Sequence, residues 1–292
     1  MSASDEYDQV MIRLARSSYR ERRHFLRHYV KPPYLRFLYR YIAGDPGSDK
    51  WATRLRDQLV QSRLWLSAPI DFNDPFDMKG QVRVVGDGKA KRERIAELLK
   101  TRRPELSWKS RKAEVQRILG TSPEKLPALL QDSLDSNLAK VGVCSFSTDA
   151  RNIQMWSHYA AHHRSIVLQF EVARDSHIFL KAVPVKYGDD YPVVDWFGDS
   201  KNNLRMVLLG KHSGWQNERE WRIIEIGRAR SYLPFERQAL TGLILGCRAD
   251  DKVRAVVTTI LKERAVSGAP PVKVYEASRH SSRFKICVSR VE

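Results

Sequence analysis

The sequence predicts an α+β protein: a single mixed or antiparallel-rich sheet domain, carrying an N-terminal helix and interrupted by a helical insertion. Three observations lead there. Short runs with period-two alternation recur along the chain, YLRFLYRYI at 34–42, VGVCSFS at 141–147, SIVLQF at 165–170 and EWRIIEI at 220–226 among them. The block at 89–137 instead places its apolar residues at helical spacing, Ile95, Leu98 and Leu99, then Val115, Ile118 and Leu119, then Leu126, Leu129, Leu130 and Leu134. Finally, 292 residues at 42% hydrophobic composition are enough for one sizeable core. The predicted boundaries are 1–33 for the N-terminal helical extension and 34–292 for the α+β domain, with the basic insertion at about 89–139.

The formal charge of +17, from 51 Lys and Arg against 34 Asp and Glu, favours polyanionic partners through long-range attraction. Nucleic acid, an acidic protein and a pyrophosphate-bearing cofactor all satisfy it. Cys144, Cys247 and Cys287 are an odd, scattered set beside apolar runs, which gives neither a disulfide framework nor a metal spacing and reads as free thiols. The first 30 residues are polar and charged, without the apolar stretch of a signal peptide, and no uncharged run is long enough to span a bilayer. The expectation is a cytoplasmic protein with no membrane partner.

Asp5 to Tyr29 predicts a helix with an imperfect apolar stripe (Val10, Ile12, Leu14, Phe25, Leu26) and a basic edge from Arg20 to Lys31, stopped by Pro32-Pro33. That edge reads as solvated or partner-facing. On the strand that follows, Leu35, Phe37, Tyr39 and Tyr41 share one side, and Arg36, Leu38, Arg40 and Ile42 the other. Trp51, Leu55 and Leu59 mark a helix; RLWLS at 63–67 is a short strand. The loop FNDPFD, Phe72 to Asp77, has Asx-turn chemistry, with Phe72 and Phe76 expected to pin it to the core. The cationic cluster from Lys89 to Lys112 is the best candidate for a nucleic-acid contact, although no helix-turn-helix or zinc-finger signature accompanies it.

The densest chemistry lies in 141–170: strand, helix from about 150 to 161 capped by Thr148 or Asp149, strand. His158 and His162 share a helix face, but no glutamate flanks the first histidine, so no metal is expected. Ser145 and Ser147 point one way from their strand, Cys144 and Phe146 the other. The strand is expected at Glu220 to Ile226; Glu218, Glu220 and Arg222 share a side if it starts early enough to include Glu218. Two carboxylates so placed can enter one cleft and do acid/base work, or form ion pairs with Arg219 or Arg222.

FNDPFD, CSFS with MWSHYA (Cys144 to Ala160), HRSIVLQF (163–170), NEREWRII (217–224) and ILGCR (244–248) together resemble the bacterial family called domain of unknown function 2971, over about residues 38 to 248. A more remote likeness is to arginine-type ADP-ribosyltransferases, through the order arginine, Ser-x-Ser, Glu-x-Glu on successive strands. That likeness implies NAD as substrate and cofactor, with cleavage of its nicotinamide–ribose bond and transfer of ADP-ribose to protein, nucleic acid or water, as in a toxin or defence effector. It would give Arg40 the NAD phosphates. Ser145 and Ser147 would order the nicotinamide ribose, Tyr159 would stack on nicotinamide, and Asn73 would be a further cofactor contact. Glu220 would be the catalytic glutamate and Glu218 would orient the acceptor, with Ser145 supporting Glu220. The motif departs from that pattern at Phe146, where a small polar residue is usual.

Two other functions stay open. A nucleic-acid binder or nuclease would bring the clusters Arg20 to Lys31 and Lys89 to Lys112 to one face, a nuclease also needing acids such as Asp71, Asp74 and Asp77 around a metal. A non-catalytic interaction module would pair Glu220 with Arg222 or Arg40 in a closed, dry site.

Overall fold

The computed structural model describes residue 14 and residues 17–29, 35–83, 88–120, 125–195 and 200–291. The expectations for Val10, Ile12, Lys31, Pro32-Pro33 and Tyr34 lie outside these residues. In chain order the elements are α1 (Tyr19–Tyr29), β1 (Phe37–Tyr41), α2 (Asp49–Leu59), β2 (Arg63–Leu66), β3 (Gln81–Arg83), α3 (Gly88–Arg102), α4 (Trp108–Leu119), α5 (Lys125–Leu138), β4 (Gly142–Ser147), α6 (Ile153–Tyr159) and β5 (Ile166–Glu171). There follow α7 (Ser176–Phe179), β6 (Val183–Pro184), β7 (Lys186–Gly188), β8 (Val193–Asp195), α8 (Ser200–Leu209), β9 (Gly210–His212), β10 (Glu220–Glu225), β11 (Ser231–Pro234), β12 (Leu240–Leu245), α9 (Asp251–Val266), β13 (Lys273–Arg279) and β14 (Ile286–Arg290). Among the described residues, no helix is long and apolar enough to cross a membrane.

The chain forms two compact units, 1–67 with 142–185 and 214–292, and 68–141 with 186–213. The helical insertion is thus part of a second unit that also takes in a later segment. In the first unit an eight-stranded mixed sheet runs β14-β13-β12-β5-β1-β4-β10-β6. Its ladders are antiparallel except β12 with β13, where α9 supplies the crossover that a parallel pair needs. The second unit holds the short parallel pairs β3 with β8 and β7 with β9, and the helices α3, α4, α5 and α8.

Alternation gives the large sheet two different faces. Leu38, Ile42, Phe146, Leu168, Phe170, Ile223 and Leu243 meet α2, α9 and the inner side of β2 and β11 in the main core. Ser48 caps α2 on the Trp51 amide and Asp250 caps α9 on the Val253 amide, which starts both helices where their apolar stripes begin. Leu14 and Leu26 are also buried in this core, so the N-terminal helix packs against the sheet unit with one face instead of standing in solvent. On the other face Trp156 of α6 packs with Val167 and Ile244, against Tyr39, Tyr41 and Tyr275.

Two buried polar knots hold the first unit together. Arg264, 1% exposed, donates to the carbonyls of Leu59, Arg237 and Pro270, joining α2, α9 and two loops without a carboxylate. Burial, with the nearby Arg237 charge, pushes its guanidinium down to about 10. Glu171 at the end of β5 accepts from the Tyr19 hydroxyl (2.8 Å), from Arg174 (2.8 Å) and from Arg36 (3.4 Å), which anchors α1. Its burial works to raise the carboxyl pKa, but the hydrogen bonds from Arg174 and Tyr19 and the arginine charges outweigh that and leave it below the ordinary 4.5.

Replacing Arg264 by Met nearly keeps volume but strips the buried Leu59 carbonyl and the part-buried Arg237 and Pro270 carbonyls of their donor, and is expected to cost about 2–3 kcal/mol in denaturant unfolding. Because Glu171 titrates lower in the folded protein than in the unfolded chain, its contribution is complete above pH 4.5 and is lost as pH falls through the depressed folded value. The hydrogen-exchange protection factors of α1, taken relative to intrinsic rates at each pH, should therefore fall on acidification below that point, and Glu171→Gln should remove this acid-dependent step.

Candidate functional site

The three motif-bearing strands lie side by side as β1, β4 and β10. Tyr39 stands opposite Ser147, Ser147 opposite Glu220, and Ser145 opposite Arg222. Residues directly opposite in a ladder share a face, so Tyr39, Tyr41, Ser145, Ser147, Glu220 and Arg222 belong to one side of the sheet. Arg40 belongs to the other. Its guanidinium contacts the Cys144 sulfur, lies 3.5 Å from the Trp65 carbonyl and sits 5.9 Å from the centre of the Phe146 ring. Burial pushes the Cys144 thiol up, against the opposing pull of Arg40. The sheet therefore brings Ser145, Ser147 and Glu220 together and separates Arg40 from them, and the cluster imagined around all four does not form on one face.

Glu220 is held by Arg222, two residues along the same strand. Arg222 Nε donates to Oε1 at 2.7 Å and Nη2 to Oε2 at 3.0 Å. Both are buried, Arg222 completely. A fork-to-fork pair of this kind satisfies both carboxylate oxygens and neutralises two charges that would be costly alone.

Glu218 differs from its expected place. It ends the tight turn Ser213–Glu218, and Arg219 follows in a left-handed conformation (φ 46°), so the strand starts only at Glu220. Glu218 and Glu220 are consequently not alternate residues of one strand. Ser147 is a staple: its hydroxyl donates to the Glu218 carbonyl at 2.7 Å and accepts from the Asp149 amide at 3.1 Å. Ser145 is half-buried beside Arg222.

The loop after β4 is fastened by side chains rather than left open. Tyr41 donates to the Asp149 carbonyl at 2.7 Å and packs edge-on against Trp156, whose indole donates to the Ala150 carbonyl at 2.8 Å. Asn152, not Thr148 or Asp149, caps α6, accepting from the Met155 amide while donating to the Asn217 carbonyl. Asp149 instead accepts from the Arg151 amide. Tyr159 ends α6, its ring edge-on to His158.

α6 stops at Tyr159, so His158 and His162 share no helix face. Ala161, His162 and His163 are all left-handed, a run that costs roughly 1–2 kcal/mol per residue. The turn persists because the His163 amide reaches the Trp156 carbonyl, the His163 carbonyl accepts from the Arg248 amide, and the His163 ring stacks parallel on Trp156. Burial, then the charges of Arg248 and His162, lower the His163 pKa. The glycine of ILGCR has its reason here: a Cβ at Gly246 would overlap the His163 carbonyl.

Asn73 lies exposed in the second unit. In the same loop Phe76 is 63% exposed and pins nothing, contrary to expectation. The acids there serve the backbone or a buried pair: Asp71 accepts from the Ala68 amide, Asp74 from the Phe76 amide, and Asp77 faces Lys211 at 3.4 Å. The Asp77–Lys211 pair escaped the sequence because its members are far apart in the chain. Among the described residues no three of His, Cys, Asp and Glu are grouped to hold a metal ion. The three cysteines are free, Cys144 buried and Cys247 and Cys287 partly so.

Residues 155–223 match the family described as protein of unknown function (DUF2971). The matched span takes in MWSHYA, the left-handed turn, HRSIVLQF and the strand with Glu220 and Arg222; FNDPFD, CSFS and ILGCR lie outside it. Comparison with curated proteins and with solved structures gives no match.

The buried pair makes its own prediction. Glu220→Gln removes the carboxylate that grips the buried Arg222 guanidinium through Nε and Nη2 and should destabilise the fold by about 3–5 kcal/mol in chemical denaturation. Glu220→Gln combined with Arg222→Met should recover much of that loss, since the buried cation that Glu220 balances is gone as well.

Proposed function

We propose that this chain, with its DUF2971 match over residues 155–223, is a polyanion-binding module whose partner is nucleic acid. The observation that carries this is the basic surface of α3 and α4. These helices pack as a pair in the second unit. Three of their cations are matched within the pair or its connection: Arg94 with Glu97, Arg103 with Glu105 and Arg117 with Glu114. Lys89, Arg92, Lys100 and Lys109 are exposed, and among the described residues they have no ion-pair partner. Trp108, 69% exposed, stands beside this surplus with Lys112 5.3 Å from its ring centre. Mobile lysines over open surface suit phosphates bound largely without sequence preference.

The Glu220–Arg222 pair supports assigning the acidic motif a structural task in this module. A glutamate that stabilises a cationic transition state must present its charge to the substrate, and here both oxygens already face a guanidinium. The ADP-ribosyltransferase reading keeps one favourable observation, the adjacency of β1, β4 and β10. It would require Glu220 to release Arg222 and a group other than Arg40 to hold the pyrophosphate on that face.

The test uses a labelled oligonucleotide in fluorescence anisotropy over a salt series, alongside calorimetry with NAD. Binding that weakens steeply with salt, with Lys109→Glu/Lys112→Glu lowering affinity and reducing the salt slope by roughly one to two, is the expected outcome. Nicotinamide release by the wild-type chain, lost in Glu220→Gln while that variant stays folded, would overturn it in favour of the enzyme.

A further inference from the structure

We infer that the outer face of the β2–β11 ribbon, in the sheet unit, is a stacking site for single-stranded nucleic acid. The ribbon is made of two short antiparallel strands with Tyr232 opposite Trp65 and Pro234 opposite Arg63. Leu64, Leu66 and Leu233 turn inward and are buried, so alternation sends Arg63, Trp65 and Tyr232 outward. Trp65 remains 39% exposed although it is one of the largest apolar side chains in the protein. Its ring meets Tyr232 edge-on at 5.1 Å, which fixes its orientation while leaving surface available. Arg63 lies over the Tyr232 ring at 3.9 Å.

The surroundings are cationic. Arg40 reaches the Trp65 carbonyl and Arg228 the Tyr232 carbonyl, so both guanidinium groups meet the backbone of the ribbon at these two residues. Exposed Arg230 joins the end of the ribbon through its amide to the Leu66 carbonyl. Arg54 is near enough to act on the Tyr232 hydroxyl. The carboxylate within this group, Asp57, is buried and already receives Arg63 at 2.7 Å and the Tyr232 hydroxyl at 2.9 Å. Its charge is therefore engaged by Arg63 and the Tyr232 hydroxyl.

Partly exposed indole surface with Arg63 on the neighbouring Tyr232 ring offers a base a π-face and its phosphate a charged donor at once. A duplex hides its bases within their own stack, whereas an unpaired base can lie on Trp65. An acidic polypeptide would use the arginines but leave the ring without a partner. The inference refines the polyanion reading, but it stands on a different surface from α3 and α4.

The experiment measures anisotropy of labelled oligo(dT) and oligo(U) of about 15 nucleotides, and of a matching duplex, against the full chain. Both single strands should bind more tightly than duplex. Trp65→Ala should weaken them roughly tenfold, Trp65→Phe should restore most of the loss, and the Trp65-dependent factor should survive Lys109→Glu/Lys112→Glu. Single strands that bind the folded Trp65→Ala chain as well as wild type would overturn this site while leaving the polyanion reading standing. No oligonucleotide binding at all would remove both. Polyglutamate competing as effectively as oligo(U) would assign the patch to acidic protein and overturn the inference. Photo-crosslinking of wild type to oligo(U) carrying 5-iodouridine needs no variant: crosslinks should fall at Trp65 or Tyr232, and crosslinks confined elsewhere would refute it.

Discussion

The register between β1, β4 and β10 is the constraint on which the rest of this protein's chemistry depends. Tyr39, Ser147 and Glu220 stand in one row across three strands. Each strand has period two, so that one alignment decides the face of every neighbouring side chain. It gives the Glu220–Arg222 pair and the tyrosines one side, and Arg40, Cys144 and Phe146 the other. A slip by one residue would put arginine and glutamate together and place Leu38 and Ile42 on the polar side, against the packing of the main core.

Once the register is fixed, the polar face is occupied by groups that satisfy one another. Ser147 ties the carbonyl of Glu218 to the amide of Asp149, Tyr41 holds the loop after β4, and Asn152 both caps α6 and reaches Asn217. These are the residues that look chemical in the sequence, and each has a structural partner. Side chains on the other surfaces, Trp65 and the lysines of α3 and α4, keep exposed area and charge.

Much of the fold was legible in the residues. Alternation in YLRFLYRYI assigned both faces of β1, and the strands at 142–147, 166–171 and 220–225 lie where period two puts them. The insertion helices followed from their apolar spacing. Less legible was anything set by distant pairing. Arg40 and Ser147 each reveal their own strand's alternation, but nothing local states which faces coincide across a ladder. Glu218 was misread because a left-handed Arg219 interrupts the strand, a conformation that arginine's own chemistry does not advertise. The aromatic pair on β2 and β11 was missed for the same reason: Trp65 and Tyr232 become neighbours only through pairing between remote segments. The buried Arg264 gave no signal because its partners are backbone carbonyls.

The chain's path through its two units has a kinetic side. Between β2 and β4 runs the first stretch of the second unit, and between β6 and β10 runs the other, so the large sheet is assembled from three separated pieces of chain. Strand β1 sits between β4 and β5, so it has no partner in this sheet until β4 is synthesised and keeps an open edge until β5 is. During translation it therefore emerges long before anything can cover its two edges, and each closure spans a long intervening segment. Arginines at positions 36 and 40 give that waiting strand charge as well as aromatic surface, which discourages it from pairing with the same strand of a neighbouring nascent chain.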